Sequence, residues 1–198
     1  MKESNLFFGC LNLGLKYSQK KELDILEYSF DKGVNSFDTS LSYGFGFSEK
    51  RLGKFIKNKR EKVFVSSKIG IKPPKNPITL YTSYRIKKFF KLKTPKFLKK
   101  KINYSYHHSN FTPKIIKEHT ELSLNKLKTE YIDLLSLHHV ENHDINEENL
   151  ESLNKLKKEG KIKNYGFSPI TEYEIILKNN INNIHIDFNY FILNQKKL

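Results

Sequence analysis

Four polar residues fall where predicted β-strands run into loops. They are Asp38 and Tyr43 in FDTSLSYG, Lys68 in VFVSSKIG and His138 in DLLSLHHV. In α/β proteins the catalytic groups lie at such strand ends, and carboxylate, phenol, ammonium and imidazole groups are those with which enzymes move protons. Taken singly, three of them also have a purely structural explanation. Asp38 fits a turn or cap residue, Lys68 a lysine that extends to solvent, and His138 a histidine of the core.

The elements that must position these residues alternate between short apolar runs and segments of helical period. Predicted strands cover Asn5–Leu13, Asn35–Thr39, Val63–Lys68, Ile132–Val140, Asn164–Ser168 and Ile184–Leu193. Predicted helices begin at Ser18, at Ser48, at Thr112 with Pro113, near Leu150 and at Thr171. Capping residues and the proline mark several of these starts. A long irregular stretch with four prolines is predicted from Gly70 to about Asn110.

Strands alternating with helices in this way imply parallel pairing with right-handed crossovers. A doubly wound sheet and a (β/α)8 barrel would both give this order. A barrel usually needs about 250 residues, and this chain has 198. We therefore expect a single α/β domain over residues 1–198, with about six strands and five helices. Residues 70–111 are predicted to form a basic, proline-containing insertion loop after the third strand.

Four stretches of the sequence carry a resemblance to a known family. In chain order they are FDTSLSYG followed by SEKRLG, then VFVSSK, then SLNKLKTEYIDLLSLHHV, then KIKNYGFS. On these stretches the sequence resembles the aldo/keto reductase family, from about Asn5 to Leu193. The specific part is the Asp–x4–Tyr spacing followed by the third-strand lysine and the fourth-strand histidine. The resemblance implies a fold of the (β/α)8 TIM-barrel type, incomplete here because the last two strand–helix units have no counterpart in the sequence.

The resemblance also implies an activity and a role for each of the four residues. It implies hydride transfer between NADP(H), with NAD(H) left open, and an aldehyde, ketone or sugar carbonyl. Tyr43 is then the general acid, Lys68 lowers its pKa, Asp38 holds Lys68 beside the cofactor, and His138 orients the carbonyl. These residue types suit the chemistry, because a free tyrosine has a pKa of about 10 and a neighbouring cation lowers it. A buried lysine in turn needs a carboxylate partner.

Further residues are assigned to the cofactor by the same resemblance. Gly9 and Cys10 stand at the first-strand turn, which lines the nicotinamide side in the family. Ser168 matches the serine of a Ser-Asn contact, although Pro169 replaces the asparagine. Asp187 falls about where a glutamine meets the nicotinamide amide. The sequence lacks the family's seventh and eighth strands, which hold part of the adenosine and 2′-phosphate surface.

Composition and charge exclude several other classes of protein. The single cysteine rules out an intramolecular disulfide framework and a multi-cysteine zinc site. Adjacent histidines at 107–108 and 138–139 offer one inward ligand per pair, so we expect no metal. The polar stretch Met1–Asn5 and the lack of an apolar run of about 20 residues predict a cytoplasmic protein without a signal peptide or membrane span.

The formal net charge of +15 is concentrated in one part of the chain. The stretch Arg85–Lys101 carries nine of the 36 cations, interleaved with phenylalanine, and no acid. Such a segment would suit an anionic substrate, an anionic membrane surface or nucleic acid; the alternative is a solvated, lysine-rich insertion. An open six-stranded sheet would also leave two apolar edges, Asn5–Leu13 and Ile184–Leu193, which predicts self-association or low stability.

Two functions stay open from the sequence. One is a nicotinamide-dependent oxidoreductase acting on a small carbonyl compound or sugar, which the four strand-end residues favour. The other is a catalytically inactive barrel that serves as a binding or regulatory module, or a degraded gene product. The shortness of the chain favours the second.

Overall fold

The sheet organises the whole structure. The computed structural model describes residues 6–15, 17–89, 110–169 and 185–186. Within these ranges six strands form one sheet in the order β1 to β6, and every neighbouring pair is parallel. The strands are β1 Phe7–Gly9, β2 Ser36–Asp38, β3 Phe64–Ile69, β4 Ile132–Val140, β5 Ile162–Pro169 and β6 His185–Ile186. Sheet order therefore follows chain order.

Helices connect the strands as crossovers. The α-helices in the described part of the chain are α1 Gln19–Asp31, α2 Ser48–Ile56, α3 Pro77–Phe89, α4 Pro113–Leu127 and α5 Glu147–Lys158. Short 3₁₀ turns cover Tyr43–Gly46, Arg60–Lys62 and Asn142–Asp144. Among these described helices none has the length and apolar character needed to cross a membrane.

Two of the predicted helix starts carry the side-chain caps that the sequence indicates. The Ser18 Oγ accepts a hydrogen bond from the backbone N–H of Lys21 at 3.3 Å. The Thr112 Oγ1 accepts one from the N–H of Ile115, also at 3.3 Å, and Pro113 occupies the first helical position. Each such cap stabilises its helix by about 1 kcal/mol. These predictions are confirmed.

An apolar core lies between the sheet and the helices. The ring of Phe37 on β2 packs edge-on against Phe55 of α2, with 5.0 Å between the ring centroids. Leu135 of β4, Ile116 of α4 and Leu153 of α5 are fully buried in the same cluster. Because alternate residues of a strand point to opposite faces, this packing decides which residues face away from the helices.

Two strand predictions are only partly matched by the structure. The predicted strand Asn5–Leu13 is too long, since β1 ends at Gly9 and the chain then turns, with the N–H of Leu13 donating to the carbonyl of Cys10 at 3.0 Å. The predicted helix at Thr171 lies outside the described residues. So does most of the predicted strand Ile184–Leu193, apart from β6.

Helix α3 lies inside the stretch that the sequence predicts to be irregular. Its first residue is Pro77, a position that proline tolerates because the first N–H groups of a helix have no partner within it. Tyr81 packs against Phe47 with 5.4 Å between ring centroids, and Tyr84 against Phe45 with 6.1 Å. The prediction that the chain is irregular from Gly70 to about Asn110 is therefore wrong for α3, because proline at a helix start and tertiary ring packing both favour the helix.

A charged cluster, the basal ion pair, lies at the amino ends of β3 to β5. Arg60 Nη2 is 2.6 Å from Asp133 Oδ2, and the guanidinium stands 3.8 Å from the centroid of the Tyr131 ring. The same carboxylate accepts a hydrogen bond from the N–H of Val65 at 2.9 Å and is 3.2 Å from Lys163 Nζ. The pair thus joins three neighbouring strands.

Candidate active site

The pairing of β2 with β3 brings Asp38 and Lys68 together. Phe37 packs against α2, so the next residue, Asp38, points to the other face of the sheet. Ser67 donates to Glu49 of α2 at 2.8 Å, so Lys68 points to that same other face. There Lys68 Nζ donates a hydrogen bond to Asp38 Oδ1. The lysine side chain is 6% exposed and the aspartate 26%, so this site ion pair opens to the surface on its carboxylate side.

Tyr43 begins the 3₁₀ turn between β2 and α2. Gly44 and Phe45 have φ angles of 61° and 57°, in the left-handed region that favours glycine. A Cβ on Gly44 would lie 2.0 Å from the carbonyl oxygen of Leu13, so only glycine fits at that position. The turn places the Tyr43 ring with its centroid 5.7 Å from Lys68 Nζ.

His138 reaches the same place from the carboxyl end of β4, where the strand is irregular. The register with β5 shifts between His138 and Val140, and His139 has a φ of 59°. Irregularities of this kind change the direction of a side chain. The His138 ring lies edge-on to the Tyr43 ring with 6.1 Å between centroids, and its Nδ1 is 3.5 Å from Ser40 Oγ. The structure therefore brings all four predicted strand-end residues into one cluster.

The residues assigned to the cofactor flank this cluster where they are described. Gly9 pairs with Asp38 in the β1–β2 register, and a Cβ built on Gly9 would meet nothing within 4 Å. Ser168 pairs with His138 in the β4–β5 register. The small residue at Gly9 thus leaves open space beside the site ion pair. Asp187 lies outside the described residues.

The Cys10 thiol is fully buried and does not face this space. Burial raises its pKa well above the ordinary value, the charge of Asp38 raises it further, and the charge of Lys68 opposes the rise. The backbone N–H of Cys10 donates to the carbonyl oxygen of Asp38 at 2.8 Å. Cys10 therefore supports this end of the sheet through its backbone. Among the described residues no group of three or more His, Cys, Asp or Glu could hold a metal ion.

Sequence reasoning missed two charged residues behind the cluster. Glu49 of α2 is fully buried, and burial raises the pKa of its carboxyl group while the charge of Lys126 lowers it. Lys126 of α4 has a pKa lowered by burial and raised by Glu49. Its Nζ donates to the carbonyl oxygen of Leu41 at 3.4 Å. Both residues stand inside stretches of the family resemblance, SEKRLG and SLNKLK, but nothing in the sequence shows that they meet.

The parallel sheet with outer helices, and a polar cluster at the carboxyl ends of its strands, define an α/β protein of the incomplete (β/α)8-barrel type. The chain belongs to the Aldo/keto reductase family, which it matches over residues 5–197. The sequence predictions of this family and of this fold type are thereby confirmed.

Relatives and solved structures agree with this assignment. The oxidoreductase YqkF of Bacillus subtilis is 29% identical over 191 residues, which cover 95% of this chain and 53% of the relative. An aldo-keto reductase of Bacillus halodurans in its holo form superposes with a TM-score of 0.63 at 28% identity, covering 85% of this chain and 47% of that one. An aldo-keto reductase of Klebsiella pneumoniae in complex with NADPH shares the fold, with a TM-score of 0.54, 21% identity and coverage of 83% and 45%. The chain thus spans about half the length of such relatives.

Proposed function

We propose that this chain is an oxidoreductase that transfers a hydride between a nicotinamide cofactor and the carbonyl carbon of an aldehyde, ketone or sugar, with Tyr43 as the general acid. One observation carries this proposal. A buried lysine, held by a carboxylate, stands beside the tyrosine ring, and a histidine lies at that ring's edge. Family membership supports the reaction class.

The protein's part in the reaction is to move a proton and to orient the carbonyl. Tyr43 donates its phenolic proton to the carbonyl oxygen as the carbonyl carbon gains a hydride, which gives the alcohol; in the oxidation the phenolate takes the proton back. Lys68, held by Asp38, favours the phenolate and so lowers the pKa of Tyr43. His138 donates a hydrogen bond to the carbonyl oxygen and so orients and polarises the bond.

The described residues that would hold the cofactor are Gly9, Asp38 and Ser168, around the open space beside β1. A bound nicotinamide supplies the hydride, or accepts it in the oxidation. We propose NADP(H) as the cofactor, which the resemblance of the sequence to the aldo/keto reductase family implies. A cytoplasmic location is also proposed, because the one cysteine is a free, buried thiol that suits a reducing compartment.

The test compares wild type with Tyr43→Phe and with a matched control, Tyr28→Phe, which alters an exposed tyrosine of α1. NADPH binding is measured by fluorescence titration and turnover with a panel of aldehydes. We expect Tyr43→Phe to lower kcat by about 10²–10⁴-fold, the usual contribution of a general acid, while NADPH affinity is kept. Turnover unchanged by Tyr43→Phe would refute the mechanism. A folded wild-type chain without NADPH binding would favour the alternative, an inactive binding or regulatory module.

A further inference from the structure

The turn that carries Tyr43 needs contacts from outside to hold its shape. Three successive residues, Gly44, Phe45 and Gly46, have φ angles of 61°, 57° and 84°. For phenylalanine the left-handed conformation is strained, and such a backbone persists only where the surrounding structure fixes it. The position of the Tyr43 phenol therefore depends on what packs against this turn.

One charged side chain, Lys126 of α4, contacts the backbone on both sides of Tyr43. Its Nζ donates to the carbonyl oxygen of Leu41, two residues before the tyrosine, at 3.4 Å. The same Nζ lies 3.1 Å from the point where a Cβ on Gly46 would stand, three residues after the tyrosine. The ammonium group thus spans the turn from the helix of a different strand–helix unit.

Lys126 interacts electrostatically with a buried charge of opposite sign, Glu49. Glu49 stands in the first turn of α2 and is completely buried, and its Oε1 accepts a hydrogen bond from Ser67 at 2.8 Å. Each of the two charges moves the other's pKa towards the ionised form, against the effect of burial. Ser67 precedes Lys68 in β3, so the pair also adjoins the strand that supplies the site lysine.

We propose that Lys126 is a positioning residue for Tyr43, holding the backbone of residues 41–46 so that the phenol stays beside Lys68 and His138. The ammonium would need no contact with substrate or cofactor for this. The inference rests on the proposed role of Tyr43 in proton transfer. A purely structural alternative is that Lys126 only neutralises the buried Glu49.

The experiment distinguishes the positioning role from the structural alternative by removing the charges of Glu49 and Lys126 in one variant. The double variant E49Q/K126M leaves no unpaired buried charge, so its unfolding midpoint in urea is expected close to that of wild type. Lys126→Gln is made alongside, since it keeps a donor amide near Glu49 should the double variant be unstable. Lys126→Arg tests rescue by a conserved charge, and Lys117→Met is the control, a lysine lost from the exposed side of the same helix. The readouts are kcat, KM, and the ring-carbon NMR signal of Tyr43, followed against pH and assigned by its loss in Tyr43→Phe.

If Lys126 positions Tyr43, E49Q/K126M and Lys126→Gln lose kcat by about tenfold or more, as small misplacements of reacting groups do, and the Tyr43 signal moves. Lys126→Arg and Lys117→Met are expected to keep the wild-type kcat and the wild-type position of the Tyr43 signal. A double variant or Lys126→Gln that folds with wild-type kcat and an unmoved Tyr43 signal overturns the inference. If wild type turns over no carbonyl compound, the proposed function fails, and the NMR signal alone still decides whether Lys126 holds Tyr43.

Discussion

Two aspartate–cation pairs lie at opposite ends of the sheet, Asp38–Lys68 at the carboxyl ends of its strands and Asp133–Arg60 at the amino ends. Both join neighbouring strand ends, and both cations are largely buried. Their surroundings differ. In the basal ion pair the guanidinium stacks on Tyr131 and donates to backbone carbonyl oxygens as well as to its carboxylate. At the amino end of the sheet the aspartate–cation pair therefore connects neighbouring strands.

In the site ion pair the neighbour of the cation is also a tyrosine, but here a histidine lies at the edge of that ring. Lys68 Nζ lies beside Tyr43, whose turn is strained and held by contacts from other elements. In barrels the amino ends of the strands serve stability and the carboxyl ends serve catalysis. On the proposed function, the site ion pair takes part in proton transfer through Tyr43, whereas the basal ion pair connects neighbouring strands.

The largest effect on folding is expected at the basal ion pair. Arg60→Met removes the main partner of the buried Asp133 and should lower the free energy of unfolding by at most about 3–5 kcal/mol, the cost of a buried charge left without compensation. Lys163 still lies 3.2 Å from that carboxylate and compensates part of its charge. Denaturant unfolding measures the loss, with the exposed neighbour Lys62→Met as control. Because the basal pair is remote from Tyr43, kcat of the folded fraction should be unchanged; a lowered kcat would break the contrast between the two ends.

The opposite pattern is expected at the site ion pair. Lys68→Met removes the cation that favours the Tyr43 phenolate and should lower kcat by about 10²-fold or more. Its effect on stability should be smaller than that of Arg60→Met, because the Asp38 left behind is partly exposed and keeps contact with water. Steady-state kinetics and denaturant unfolding on the same preparations test both parts. A Lys68→Met variant that is as unstable as Arg60→Met and still fully active would reverse the assignment.

A smaller, pH-dependent effect on the free energy of unfolding is expected from a buried histidine near the carboxyl end of β3. His119 of α4 is buried, and its Nδ1 accepts from the N–H of Gly70 at 3.3 Å. Burial, and next the charge of Lys72, lower its pKa from 6.5 to about 4. The unfolded chain therefore binds this proton more readily, so stability from His119 is complete above about pH 6.5 and is lost as pH falls towards 4, by up to about 1.4 kcal/mol per pH unit.

The His119→Gln variant should lose less unfolding free energy than wild type as the pH falls from about 6.5 towards 4. Unfolding free energies at pH 7, 5.5 and 4.5 are compared between wild type and His119→Gln, because carboxyl groups that titrate in the same range are common to both. The control is His143→Gln, which changes an exposed histidine. Equal slopes for wild type and His119→Gln would contradict the prediction.

Elements that carry a strong local signal in the sequence were predicted correctly. Capped helix starts at Ser18 and Thr112 and the apolar run Ile132–Val140 are found as predicted. Because parallel strands end at one edge of a sheet, the residues at those ends could also be expected to meet. Helix α3 could not be predicted, since Pro73 and Pro74 just before it indicate irregular chain and its ring contacts with Phe45 and Phe47 are tertiary.

Interactions between charged residues that lie far apart in the chain could not be predicted from the sequence either. Glu49 and Lys126 are 77 positions apart, and in a chain with 36 cations no local pattern distinguishes the lysine whose charge acts on a buried glutamate from those in solvent. The backbone irregularity at His139 is hidden for a similar reason: histidine adopts a positive φ more often than most residues, but nothing in the sequence marks which of the seven histidines does so.

The strands lie in the sheet in the order in which they occur in the chain. This order has a consequence for folding during synthesis. The four residues of the cluster come from three consecutive strand–helix units, so their assembly requires only the chain as far as Val140. Each strand pairs with the one synthesised just before it, so no pairing in this part of the sheet waits for a later strand. Vectorial synthesis could therefore bring the proton-transfer groups together before the C-terminal strands have left the ribosome.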